Sequence, residues 1–181
     1  MRYFELLAVN VDVVPLQHAL QRNPGLWNQN TLRTAHEDSP HAEADDIWLR
    51  FQPLNGEPVR EKVMNSPDCE WYPAWHILPQ ARTLVFDLQR RVEASRIGRV
   101  IITRLPSGKR IKPHPDTGEY ASAYDRYHIV LHALPGCQFR AEEDAVQMRT
   151  GEVWWFQNRV EHEVVNNSSD ERIHLIVDLQ Q

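Results

Sequence analysis

Residues 126–141 read RYHIVLHALPGCQFRA. Two short runs rich in β-branched and aromatic residues, 126–134 and 137–141, flank a Leu-Pro-Gly-Cys turn signal. That is the pattern of two strands joined by a tight connection. The same texture extends to both sides. IGRVIITRL (97–105), AVQMR (145–149), EVWWFQN (152–158), EHEVVN (161–166) and RIHLIVDL (172–179) are all short, and LPSGK, RTGE and NNSSDE separate them. Many short strands with tight turns predict a β-sandwich, jelly roll or small barrel.

Ahead of residue 97 the texture is mixed. VVPLQHALQR (13–22) and PQARTLVFDLQRRVEAS (79–95) predict helices. Leu16, Ala19 and Leu20 share a face in the first, and Leu84, Leu88 and Val92 in the second. Pro79 suits a first helical turn. DDIWLRF (45–51) predicts a strand, and Thr31–Thr34 a further short one inside a polar loop. The expected organisation is one domain, 1–181. Residues 1–96 form a helical and loop cover that includes substrate-side segments, and 97–181 form an antiparallel, double-layer β core.

With 181 residues, 41% of them hydrophobic, the chain can bury a sizeable core. Twenty Lys and Arg against 25 Asp and Glu give a net charge of −5. No basic run stands out, and the local cluster Lys109, Arg110 and Lys112 is too small to argue otherwise, so no nucleic-acid partner is expected. Glu5, Asn10 and Asp12 interrupt the apolar start, which argues against a signal peptide. No stretch is long enough to span a membrane. Cys69 and Cys137 make neither a disulfide framework nor a zinc ribbon. The expectation is a soluble, reduced, cytoplasmic protein.

The chemistry concentrates in KRIKPHPDTGEY (109–120). His114 and Asp116 stand two apart, which on a strand puts both on one face. Pro113 and Pro115 mark a strand end by removing ladder donors. Thr117 and Gly118 read as the turn that leads the chain away. One imidazole and one carboxylate suit a divalent first-row metal. A second histidine would complete the facial triad of non-haem Fe(II) oxygenases, leaving positions for a chelating 2-oxoacid and for O2. His162, in EHEVVN, is the best candidate. Ten residues on, past the NNSSD turn, Arg172 is placed to bind a ligand carboxylate through two parallel N–H···O bonds. Other readings stay open. His114 and Asp116 can be a hydrogen-bonded turn pair, His162 a solvated strand end, and Arg172 a surface partner of Glu171. His128 and His132 make a weaker metal pair, because four residues of strand span roughly 13 Å.

The segment HPDTGEYASAYDRYHIVLHALPGCQFR (114–140), followed by TGEVWWFQNRVEHEVVNNSSDERIHLIVDL (150–179), resembles the aspartyl/asparaginyl β-hydroxylase family, which includes bacterial cis-proline hydroxylases. The likeness covers about 97–180. It implies a mainly β, cupin-like jelly roll with flanking helices, the double-stranded β-helix. It also implies an Fe(II)- and 2-oxoglutarate-dependent oxygenase that uses O2. On matching positions, His114, Asp116 and His162 would hold the iron and Arg172 the distal carboxylate of 2-oxoglutarate. Arg126 and His128, in DRYH, match positions that also contact the co-substrate. Animal endoplasmic-reticulum members lack the carboxylate ligand, so Asp116 sets this chain with the hydroxylases of free amino acids. The expected substrate is an amino acid or a peptide. The alternatives are a cupin-like metal enzyme that does not use 2-oxoglutarate, and a non-catalytic binding module.

Alternation alone leaves the orientation of RYHIVLHAL undecided. Either Arg126, His128 and Val130 face a polar barrel interior, or Tyr127, Ile129 and Leu131 are the core face. His174 shares the face of Arg172 and reads as a supporting group. Trp48, Arg50, Trp71, Tyr72, Trp75 and His76 are candidates for a substrate wall, or simple packing residues. Arg50 and Arg104 are the candidate partners for a substrate carboxylate.

Overall fold

The computed structural model describes residues 1–36, 38–54 and 64–181. The chain starts with β1 (Phe4–Ala8) and α1 (Val14–Arg22). β2 (Asp45–Phe51), β3 (Glu70–Trp71), α2 (Ala74–Ile77) and α3 (Gln80–Arg91) follow. Then come β4 (Arg96–Leu105), β5 (Arg110–His114), α4 (Gly118–Ala123), β6 (Asp125–His132), β7 (Cys137–Ala141) and β8 (Asp144–Val146). β9 (Val153–Phe156), β10 (His162–Asn166) and β11 (Arg172–Gln180) complete the order.

The strands form two antiparallel sheets. The large one runs β1-β9-β6-β11-β4-β2-β3 and the small one β5-β10-β7-β8. From β4 onward the chain crosses between the sheets: β4, β6, β9 and β11 lie in the large sheet, the others in the small one. That is the jelly roll. The N-terminal half supplies more than a cover. β2 and β3 extend the large sheet beyond β4, and β1 extends it beyond β9, with Phe4 opposite Phe156.

Both faces of the large sheet are buried. On the outer face Val100, Ile102, Tyr127, Ile129, Leu131, Leu175 and Val177 pack under α1 and α3. α1 contributes Leu16, Ala19 and Leu20, and α3 contributes Ala81, Leu84, Val85 and Leu88, a clean i, i+3, i+4, i+7 stripe. Val92, expected on that stripe, instead follows the last turn as the C-cap. Each such Leu or Val contributes about 1.5–3 kcal/mol on burial. Between the sheets a second cluster joins Phe4, Val130, Phe139, Phe156 and Val164. Arg126, His128 and Val130 therefore face the barrel interior, while the apolar alternate residues face the helices.

Two glycines permit this geometry. Gly136, in the β6–β7 turn, has φ +104, a value that L side chains rarely adopt. At Gly98 a Cβ would come within 2.8 Å of the Tyr124 ring, so only glycine lets α4 lie against β4. Thr31–Thr34 forms a turn rather than the expected strand. The Thr31 carbonyl accepts from the N–H groups of Thr34 and Ala35, at 3.0 and 2.8 Å, and so is used locally.

Candidate metal centre and its anion pocket

His114 ends β5 and His162 begins β10, and the two are register partners. The pairing of these strands sets the histidines side by side, with ring centroids 4.4 Å apart. Asp116 lies just past β5, its backbone N–H donating to the Asn158 carbonyl at 2.9 Å. One ligand atom from each of His114, Asp116 and His162 lies within 4.8 Å of the others. The expected triad is thus brought together.

The surroundings fix the donor atoms. Nδ1–H of His114 donates to the Lys112 carbonyl at 2.7 Å, and Nδ1–H of His162 to the Val160 carbonyl at 2.9 Å. A carbonyl only accepts, so both imidazoles keep their proton on Nδ1 and leave a lone pair on Nε2. Nε2 of His114 is buried without a hydrogen-bond partner among the described residues. Asp116 receives Arg126 and the Asn158 side-chain amide on one oxygen, Oδ2. Its other oxygen lies 3.9 Å from His114 Nε2.

Protonation follows. Burial pushes the His162 imidazole down to about 4, aided by neighbouring His114, and burial also lowers His114. Both rings are neutral near pH 7, as a metal requires. Burial works against the Asp116 carboxylate. Arg126, then His162 and the Asn158 hydrogen bond, outweigh it and hold the carboxyl well below the usual range. Two neutral imidazole nitrogens and one ionised carboxylate fit a first-row divalent metal such as Fe(II).

Arg126 is fully engaged. It holds Asp116 and also Asp178, its cross-strand partner on β11, at 2.8 Å. Tyr120 of α4 donates to the same Asp178 at 3.1 Å. Arg172 is different. It is 2% exposed, and its Nη2 donates to His174 Nδ1 at 2.9 Å. His128 Nδ1 lies 3.0 Å from the same atom. Because that atom accepts from arginine, His174 carries its proton on Nε2, and His128 donates from Nδ1. Nε2 of both histidines is buried and unpartnered among the described residues. No carboxylate is paired with Arg172 among them, and burial lowers it to about 10. Burial, then the Arg172 charge, also keeps His128 and His174 neutral. Phe139 and Phe156 join this cluster to the triad: both lie against the His128 ring and the His162 ring.

A cavity of about 710 Å³ opens on the His114 and Asp116 side of the triad, lined by these two with Arg126, Arg33, Arg99 and Tyr120 among others. The proposed wall residues lie elsewhere. Trp71 and Trp75 stack at 3.9 Å and pack against the helix-side core, and Trp48 stacks on Phe51. Arg50 lies over Trp71. Arg104 pairs with Asp45 at 2.8 Å and stacks on Trp27 in an outer cleft. His132 is bonded to Asp170 at 3.1 Å beside that cleft, far from forming a metal pair with His128. The sequence reading passed over Arg99, Asp178, Asn158 and Tyr120. Arg99 and Thr103 share one face of β4, and Arg172, His174 and Asp178 share one face of β11; these polar positions within apolar strands are the signal that marks the first two.

Among the described residues, no helix is long and apolar enough to cross a membrane.

The fold has solved counterparts. A 2OG-Fe(II) oxygenase family oxidoreductase from Burkholderia pseudomallei aligns with TM-score 0.56 and 16% identity, covering 90% of this chain and 78% of its own. A Pseudomonas putida prolyl-4-hydroxylase aligns with TM-score 0.56 and 12% identity, over 98% and 92% of the two chains. The viral collagen prolyl hydroxylase of Paramecium bursaria Chlorella virus-1, solved with 2OG, gives TM-score 0.55 and 12% identity, over 98% and 96%. These share the fold. No curated protein matches the sequence. The sequence model of the aspartyl/asparaginyl β-hydroxylases matches residues 10–181, nearly the whole chain. The chain therefore belongs to the aspartyl/asparaginyl β-hydroxylase family, a hydroxylase built on the 2-oxoglutarate–iron oxygenase fold.

Proposed function

We propose that this hydroxylase uses Fe(II), 2-oxoglutarate and O2 to hydroxylate an unactivated C–H bond of an amino acid, a peptidyl Asp, Asn or Pro, or a related small molecule. One juxtaposition carries the reading. A preformed two-histidine, one-carboxylate set stands beside a buried arginine that has no counter-ion among the described residues.

In this reading His114 and His162 offer Nε2 to the iron, and Asp116 offers the oxygen that Arg126 and Asn158 leave free. Arg172 receives the distal carboxylate of 2-oxoglutarate. Nε2–H of His174 is a further donor to that carboxylate, and His128 holds His174 in the required tautomer. Arg126 acts through Asp116, fixing its ionisation and orientation. Phe139 and Phe156 keep water out of the slot between the two groups. Bound iron with its co-substrates supplies the oxidising power, 2-oxoglutarate leaving as succinate and CO2.

The test is succinate release from 2-oxoglutarate with Fe(II) and ascorbate, with a panel of amino acids and peptides. His162→Ala is expected to lower the release to background. Full turnover in that variant would sink the ligand assignment.

A further inference from the structure

Three arginines face the cavity on the triad, and two are neutralised within the fold. Arg33 makes a two-pronged pair with Asp46, both bonds 2.7 Å, and adds Thr103 at 2.9 Å. Arg126 sits between Asp116 and Asp178. Arg99, on β4, pairs directly with no carboxylate among the described residues; Asp178 and Asp116 act on it only from a distance. Its Nε donates to the Gln52 side chain at 2.8 Å, and its Nη2 to the Met64 carbonyl at 2.5 Å. The guanidinium lies 3.9 Å from the Tyr120 ring centroid and 4.7 Å from that of Phe51. These contacts hold it in place and leave Nη1 without a hydrogen-bond partner among the described residues. Arg99 is 6% exposed, so solvent does little to offset its charge. A cation taken out of water this far costs several kcal/mol unless something compensates it.

Charge bookkeeping across the barrel interior points the same way. Four arginines, Arg33, Arg99, Arg126 and Arg172, face three carboxylates, Asp46, Asp116 and Asp178. The histidines between them are neutral. On the hydroxylase reading above, a divalent metal and a 2-oxoglutarate dianion cancel each other. Among the described residues the loaded site then still lacks one negative charge, and the cation left over inside the open cavity is Arg99. Asp38 also lines the cavity, but it is exposed at the rim, where solvent screens it.

We propose that Arg99 receives a carboxylate of the substrate, so that the enzyme acts on a small free carboxylic acid, with α-amino acids included, rather than on amidated or neutral compounds. The Nη1 group and the fixed, planar guanidinium suit a carboxylate. The cavity volume is in the range of sites for small molecules. Tyr120 acts as a positioning residue. Its hydroxyl accepts the Arg99 backbone N–H at 2.6 Å and donates to Asp178, tying the anion anchor to the strand that also clamps Arg126.

The inference rests on the hydroxylase reading, and a binding experiment separates the two. Zinc-substituted, 2-oxoglutarate-loaded protein is titrated calorimetrically with small carboxylic acids and free amino acids, each beside its primary amide. At least one acid is expected to bind, with its amide about tenfold or more weaker. In Arg99→Gln that ratio is expected to fall to near one, with Arg99→Lys in between. Affinity for 2-oxoglutarate, read in the same titrations, reports whether each variant keeps its barrel. If Arg99→Gln loses that affinity, Arg99→Lys decides. An acid preference that survives both substitutions overturns the proposal, and so does a panel in which no acid binds. Failure of the wild-type protein to bind 2-oxoglutarate sinks the hydroxylase reading instead. The acid–amide comparison on protein loaded with zinc alone then still decides the role of Arg99.

Discussion

Arg126 and Arg172 sit on neighbouring strands, β6 and β11, and both point into the barrel with under a tenth of their surface exposed. They differ in company. Burial disfavours the charge of each. At Arg126 the carboxylates of Asp116 and Asp178 more than reverse that, and its pKa is raised. At Arg172 only a weak interaction with Cys137 opposes burial, and the pKa falls to about 10. A guanidinium between two carboxylates is a clamp that holds the metal side of the site in shape. A guanidinium whose polar neighbours are neutral imidazoles is destabilised by burial, and on the proposed reading it is the receptor for an anion. On the proposed reading, the same residue type, equally buried, serves structure in one place and recognition in the other.

The contrast can be broken by substitution. Arg126→Leu leaves two buried carboxylates without their cation and is expected to cost about 3–5 kcal/mol of stability by urea denaturation. A loss below 1 kcal/mol would show that Asp116 and Asp178 find other partners.

The next effect is a pH dependence of the metal-free protein. Folding depresses the His162 pKa from its ordinary 6.5 to about 4. The unfolded chain therefore binds more protons between those values, and stability falls as pH drops through the window. The full stability is present above pH 6.5, and the loss reaches about 3 kcal/mol by pH 4. Asp116, held below the usual carboxylate range, adds a further loss only in more acid solution. His162→Gln is expected to flatten the dependence by about one proton. An unchanged slope would mean that other groups carry it.

Arg172→Met is expected to have the smallest effect on stability: the melting temperature holds or rises, because an uncompensated charge leaves the interior. Its effect is in binding, where 2-oxoglutarate affinity is expected to drop by about 30-fold or more. A large fall in melting temperature with affinity intact would reverse the roles assigned to the two arginines.

Much of this was legible in the chain. Turn signals and short β-branched runs locate β2, β4 and β6 to β11 to within a few residues, because strand ends follow from local backbone chemistry. β1 was hidden: FELLA becomes a strand only by pairing with β9, a partner about 150 residues away. The triad was legible as residue types in order, since two imidazoles and a carboxylate have few other reasons to share a barrel end. β6 was not legible in orientation. Alternation says which residues share a face, but the large sheet is buried on both sides, so hydrophobicity does not say which face is inner.

The sequence by itself thus located most strands of the β core, narrowed the class to a sandwich, jelly roll or small barrel, from which the family resemblance selected the jelly roll, and named the three candidate ligands; these follow from local propensity, spacing and motif. Only the tertiary structure decided which arginines are spent. Arg126 meets Asp178 through the β6–β11 register, Arg33 meets Asp46, Arg104 is drawn outward to Asp45, and Arg99 and Arg172 meet no carboxylate among the described residues. The physical reason is that a charge acquires its role from its neighbours in space. In a barrel of crossing strands those neighbours come from segments up to about 70 residues apart, which no local pattern specifies.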